Sequence, residues 1–181
     1  MEIINLDYNN KHHIEAVKKL AKMNDYYANN IFLEFTKSHP LHTSHVKHNG
    51  KSTKGFLLKN KNKKLIGFII LEDKKFKSLN LKYILIHNKE RGKGYGSKLI
   101  IKSLKYAKKN NFDIINAWVE YDVNVIKFYD KHQFLTYEYT KSKGYMYFCN
   151  KNLFNHHMLM TYFVDDKYFK HFCDGKRKIK F

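Results

Sequence analysis

The hexapeptide Arg91-Gly92-Lys93-Gly94-Tyr95-Gly96 constrains this chain more than any other feature. A strand-like apolar run, residues 79–86, leads into it. Residues 97–109 follow, with Ile100, Leu104 and Ala107 on one helical face, so the hexapeptide is a strand-to-helix junction. The first amides of a helix have no intrahelical acceptor and carry partial positive charge. Glycine permits positive φ and puts no Cβ between the backbone and an approaching ligand. The junction therefore reads as a seat for phosphate oxygens, against the alternative that its glycines only serve tight turns. A dinucleotide fold calls for GxGxxG and a nucleotide-hydrolase phosphate loop ends in Gly-Lys-Ser/Thr, and neither pattern is present.

The remaining segments supply strands and helices around that junction. Glu2 to Leu6 reads as a strand, and residues 13–23 carry Ile14, Val17, Leu20 and Ala21 at helical spacing. A second helix is expected over residues 25–35, then a polar loop to Lys54. Residues 55–58 and 64–71 form a hairpin, and 79–86 the next strand. The helix over 97–109 stops at Asn110-Asn111 in a left-handed turn. A buried strand over 114–119 follows, and Asp122 caps a helix reaching His132. Residues 134–139 and 145–148 are strand-like and count as one long strand kinked at Gly144, and residues 157–164 are the last strand. The order βααβββαβαββ, without repeats or linkers, predicts one α/β domain over residues 1–164, a mixed sheet with helices on its faces. Residues 165–181 form a basic, aromatic tail packed on the domain or extending it.

Composition bounds the function classes. With 43% hydrophobic and 16% aromatic residues, a packed core is expected rather than disorder. No apolar run reaches the roughly 18 residues of a membrane span, and the first residues lack a secretory pattern. Cys149 and Cys173 show no CxxC spacing and read as reduced thiols. A soluble, cytoplasmic protein is expected, with no membrane partner. The net charge of +19 suits an acidic cofactor and keeps a nucleic-acid partner open, with Gly175-Lys176-Arg177-Lys178 as the best patch. Yet only two of the 35 basic residues are arginines, whereas proteins that grip phosphates favour the bidentate guanidinium. The same charge would repel polyamines and histone tails. His39, His42, His45 and His48 recur every third residue in the polar loop. They lack the carboxylate or cysteine that a metal site wants, so they read as acceptor contacts or an exposed loop, and no metal is expected.

Two motifs together resemble the GNAT acetyltransferase superfamily. Arg91, Gly94 and Gly96 match its pyrophosphate-binding pattern Arg/Gln-x-x-Gly-x-Gly/Ala. Downstream, the family pattern Asn-x-x-Ala-Ile-x-x-Tyr-x-Lys-x-Gly-Phe is similar to Asp122, Val125, Ile126, Tyr129, Lys131, Gln133 and Phe134 at the same spacing. Here Asp replaces Asn, Val replaces Ala and Gln replaces Gly. The resemblance covers residues 66–164 and implies a central twisted mixed sheet of about seven strands flanked by helices. It also implies transfer of acetyl from acetyl-CoA to a primary amine, on a small molecule or a protein, by direct attack in a ternary complex.

The resemblance further implies roles for individual residues. The strand before the loop splays from its neighbour and its main chain at Ile84, Leu85 and Ile86 bonds the pantetheine arm. Amides of Arg91, Gly92, Lys93, Gly94, Tyr95, Gly96 and Ser97 take the pyrophosphate, with the Ser97 hydroxyl adding a bond. Asp122 aligns with a cofactor-contacting residue, although a carboxylate has no amide donor and also suits a helix cap. Tyr129 stands beside the thioester sulfur and protonates the departing thiolate; its other reading is a core aromatic beside Phe128. For deprotonating the amine, residues 79–86 hold no Asp or Glu, which leaves Glu120, His87 or a water relay. A catalytically silent CoA-binding module and a lysine-rich nucleic-acid-binding protein are the alternatives. The family forms monomers and homodimers.

Overall fold

Strand alternation decides which sheet face each helix covers. The computed structural model describes residues 1–23, 53–74, 77–120, 123–136 and 157–163. They fall into two units, one built from residues 1–74 and 81–103, the other from residues 75–80 and 104–181. The fold is the mixed α/β arrangement that the element order predicts.

In the first unit β1 (Glu2–Asn5), β2 (Thr53–Lys59), β3 (Leu65–Lys74) and β4 (Ser78–Ile86) are hydrogen-bonded in that order. β1 runs antiparallel to β2 with Glu2 opposite Lys59, and β2 antiparallel to β3 with Thr53 opposite Glu72. The β2–β3 turn closes because the Asn60 side chain accepts from the Asn62 and Lys64 amides, each at 3.0 Å, while Lys63 takes a φ of 59°. β3 runs to Lys74, past the expected end at Leu71, with its pairing to β2 extending as far as Glu72 opposite Thr53.

Helix α1 (Lys11–Lys22) starts two residues before the expected His13. Asn10 is the cause: its side-chain oxygen accepts from the His12 and His13 amides at 3.0 and 3.3 Å, a cap contributing about 1 kcal/mol. Val17, Leu20 and Ala21 of α1 are buried with Leu6, Leu57, Phe68, Ile70 and Leu85. Full burial of each large aliphatic or aromatic side chain is worth about 1.5–3 kcal/mol. Gly67, between residues that alternate with Phe68, looks to the other face, where Leu99 of α2 (Tyr95–Lys109) packs. One helix thus covers each face of this part of the sheet.

In the second unit the strands are β5 (Ile114–Glu120), β6 (Leu135–Thr136) and β7 (His157–Phe163), hydrogen-bonded in the order β5-β7-β6. β7 runs antiparallel to both neighbours, with Ile114 opposite Phe163 and Leu135 opposite Thr161. α2 ends as its asparagines predict. Asn111 has a φ of 56°, its amide donates to the Lys108 carbonyl at 3.3 Å, and the Phe112 amide donates to the Ala107 carbonyl at 3.0 Å. These are the two bonds of a left-handed C-cap.

Helix α3 (Val123–Asp130) is shorter than the expected span to His132, because residues 131–133 form the same kind of cap. Several expectations lie outside the described residues: the helix over 25–35, the histidines of the 39–48 loop, Asp122, both cysteines, the strand over 145–148 and the tail over 165–181. No helix among the described residues is long and apolar enough to cross a membrane.

Candidate functional site

Leu85 is buried under α1, and Ile84 and Ile86 are half-buried, so the end of β4 is anchored by its side chains. Gly67 lets β3 approach this segment. A Cβ there would stand 2.9 Å from the Leu85 carbonyl oxygen and 2.5 Å from Ile86 Cδ1. β4 leaves the sheet with the His87 amide donating to the Ile66 carbonyl at 2.8 Å. A 3-10 turn over Asn88–Glu90 follows, capped by His87, whose Nδ1 accepts from the Lys89 amide at 3.2 Å. That bond ties one imidazole nitrogen of His87 to the loop, which leaves only Nε2 for any proton transfer.

Arg91 ties the loop back to the strand. Its Nε donates to the Ile86 carbonyl at 3.3 Å, so the side chain is engaged with the backbone at the end of β4. Gly92 and Gly94 take φ values of 76° and 74°, in the left-handed region. No heavy atom lies within 4 Å of where a Cβ would stand at either position. The glycines are therefore demanded by backbone conformation, and the space over them is open. Lys93, between them, is exposed and pairs with Glu90 at 2.9 Å; this bond raises its pKa above the usual lysine value and keeps it cationic.

α2 begins at Tyr95, two residues earlier than the expected Ser97. Gly96 thus lies inside the helix and Ser97 in its first turn. The first helical ladder bond runs from the Lys98 amide to the Gly94 carbonyl, at 3.2 Å, so the amides of Tyr95 and Gly96 precede the ladder. The Lys98 ammonium stands 5.9 Å from the centre of the Tyr95 ring. Left-handed glycines, early helical amides and Lys93 and Lys98 form one electropositive turn, suited to a diphosphate.

Tyr129 belongs to the second unit. It is 5% exposed, with its ring edge-on to Phe128 at 5.2 Å and 79°, and to Phe134 at 5.2 Å and 71°. The turn after it was not legible in the sequence. Gln133 has a φ of 63° at the position where the family pattern carries glycine. Its amide donates to the Asp130 carbonyl at 2.7 Å, and the Phe134 amide donates to the Tyr129 carbonyl at 3.2 Å. Glycine fits this left-handed cap without strain, which is the physical reason for the family's residue. His132 packs on Phe128 at 5.3 Å; burial, with Lys131 adjacent, lowers its pKa below the usual histidine value. The Glu120 backbone ends β5 opposite His157. Glu72, which the sequence did not single out, is 8% exposed and pairs with Lys74 at 2.8 Å. Among the described residues, no group of His, Cys, Asp and Glu is arranged to hold a metal ion.

Residues 22–134 match the model of the acetyltransferase (GNAT) family, and the chain belongs to that family. No curated protein matches it in sequence. The fold is similar to that of Tetrahymena GCN5, at a TM-score of 0.64 and 16% identity, over 91% of this chain and 97% of that one. It is also similar to the PaiA N-acetyltransferase from Thermoplasma acidophilum, solved in complex with coenzyme A, at a TM-score of 0.62 and 17% identity over 90% and 99%. Mutant forms of the spermidine/spermine N-acetyltransferase SpeG from Vibrio cholerae match at a TM-score of 0.63 and 20% identity, over 94% and 98%.

Proposed function

We propose that this chain transfers the acetyl group of acetyl-CoA to a primary amine. The observation that carries the reading is the turn from Arg91 to Ser97: two left-handed glycines open on one side, then helical amides that precede the ladder, in a chain of the GNAT family. The pyrophosphate of CoA is the diphosphate it seats, on the amides of residues 92–97, since the Arg91 amide donates to the Asn88 carbonyl at 3.2 Å. The pantetheine arm bonds to the main chain of Ile84, Leu85 and Ile86. Lys93 and Lys98 add attraction from the rim, at positions where exposed charge steers an anion more than it tightens the complex.

In the reaction the amine nitrogen, having lost a proton to Glu120 or to water, attacks the thioester carbonyl. The carbon–nitrogen bond forms, the carbon–sulfur bond breaks, and the thiolate takes a proton from the Tyr129 hydroxyl; the second proton that the nitrogen loses on becoming an amide goes to solvent, from which the phenolate is reprotonated. A phenol with an ordinary pKa of about 10 is protonated at neutral pH and so available as the acid. Asp122 is kept as a cofactor contact by its place in the motif. Calorimetric titration with acetyl-CoA tests the donor half of the reading: saturable binding is expected, and the absence of binding would sink it.

A further inference from the structure

A phenol that protonates a leaving sulfur must be held in place more tightly than packing alone requires. We infer that Phe134 is a positioning residue for Tyr129, an inference that rests on reading Tyr129 as the proton donor. Phe134 acts on it twice. Its amide donates to the Tyr129 carbonyl at 3.2 Å, which fixes the last turn of α3 through the left-handed Gln133. Its ring, 1% exposed, stands edge-on to the Tyr129 ring at 5.2 Å. Phe128 approaches the same ring at 5.2 Å and a similarly steep angle. With the rings of Phe128 and Phe134 both standing edge-on to it, the Tyr129 ring has little room to turn, and this restricts where its hydroxyl points. Misplacement of a reacting group by about 1 Å costs on the order of 100-fold in rate, so a contact holding that direction is part of the chemistry.

The test is a double-mutant cycle on turnover. Phe134→Leu keeps the backbone amide and an apolar side chain but removes the ring, and Tyr129→Phe keeps the ring but removes the proton. Alone, Phe134→Leu is expected to lower kcat by about 10-fold with KM for acetyl-CoA within about twofold of the parent. In the Tyr129→Phe background it should have no further effect on kcat, because the group it positions is gone. A purely structural role would lower kcat equally in both backgrounds, which would overturn the proposal, as would an unchanged kcat for Phe134→Leu beside an impaired Tyr129→Phe. If Tyr129→Phe alone turns over undiminished, the proton-donor reading itself fails and the inference with it. Should Phe134→Leu not fold, Phe134→Met keeps side-chain length and a soft contact with the ring, and its cycle is read the same way.

Discussion

Gly94→Ala separates what the glycine turn does for the fold from what it does for a ligand. With no heavy atom within 4 Å of the new Cβ, the methyl group meets nothing in the protein. What remains is the conformational penalty of an L-residue at a φ of 74°, about 1–2 kcal/mol. For a chain of this size that is roughly 2–8 °C in melting temperature. A bound diphosphate changes the sum. The methyl group stands on the open side of the turn, and displacing one charge-assisted hydrogen bond from an amide costs about 1.5–3 kcal/mol. Acetyl-CoA affinity should therefore fall about 10- to 150-fold. Thermal unfolding without ligand and calorimetry with acetyl-CoA measure the two parts independently. The reasoning is refuted if the melting temperature drops as calculated while affinity changes by less than about threefold, since the turn would then serve the fold alone.

Gly67→Ala places a Cβ 2.9 Å from a backbone oxygen that cannot step aside, so unfolding free energy should fall by about 1–3 kcal/mol; denaturant midpoints decide it. If β4 carries the pantetheine arm, acetyl-CoA binding weakens with it. Gln133→Gly removes a left-handed non-glycine residue and should stabilise the protein by about 1 kcal/mol without lowering kcat; a destabilised variant would show that the Gln133 side chain supplies something the cap does not. His132 sets a pH dependence. Its folded pKa lies below the ordinary value of about 6.5, so the unfolded chain takes up its proton first and stability falls as pH drops through that value, levelling off below the folded pKa. In His132→Gln the urea midpoint should lose that portion of its dependence on pH.

The conformation of the glycine turn was legible because its signals are local. Glycines at a strand–helix junction state their backbone requirement in their own identity, and Gly92 and Gly94 have the positive φ that this requires. Asn111 was legible for the same reason. Gln133 was not, because glutamine carries no left-handed preference; only its alignment with a family glycine hints at the φ of 63°. The start of α1 shifted because a cap decides it, Asn10 placing it at Lys11, and α2 starts at Tyr95, two residues before its apolar periodicity indicated. Arg91 was expected to offer its amide to the pyrophosphate; that amide donates to the Asn88 carbonyl and the side-chain Nε to the Ile86 carbonyl, contacts that only the folded turn creates. Glu72 was missed because burial of a carboxylate in β3 depends on partners distant in sequence. The acceptor is illegible for a chemical reason: in the proposed reaction the glycine turn and the α3 motif meet the donor, and their residue types carry no information about which amine attacks.

Turnover by the unmodified chain tests the central claim most directly. Acetyl-CoA is mixed with a panel of primary amines, and free thiol and acetylated amine are followed together. The account predicts thiol release that saturates in acetyl-CoA and in at least one amine, with acetylated amine formed in equal amount. Saturable binding of acetyl-CoA without thiol release above the solvent rate for any amine would contradict it, and would leave a CoA-binding module in place of an enzyme.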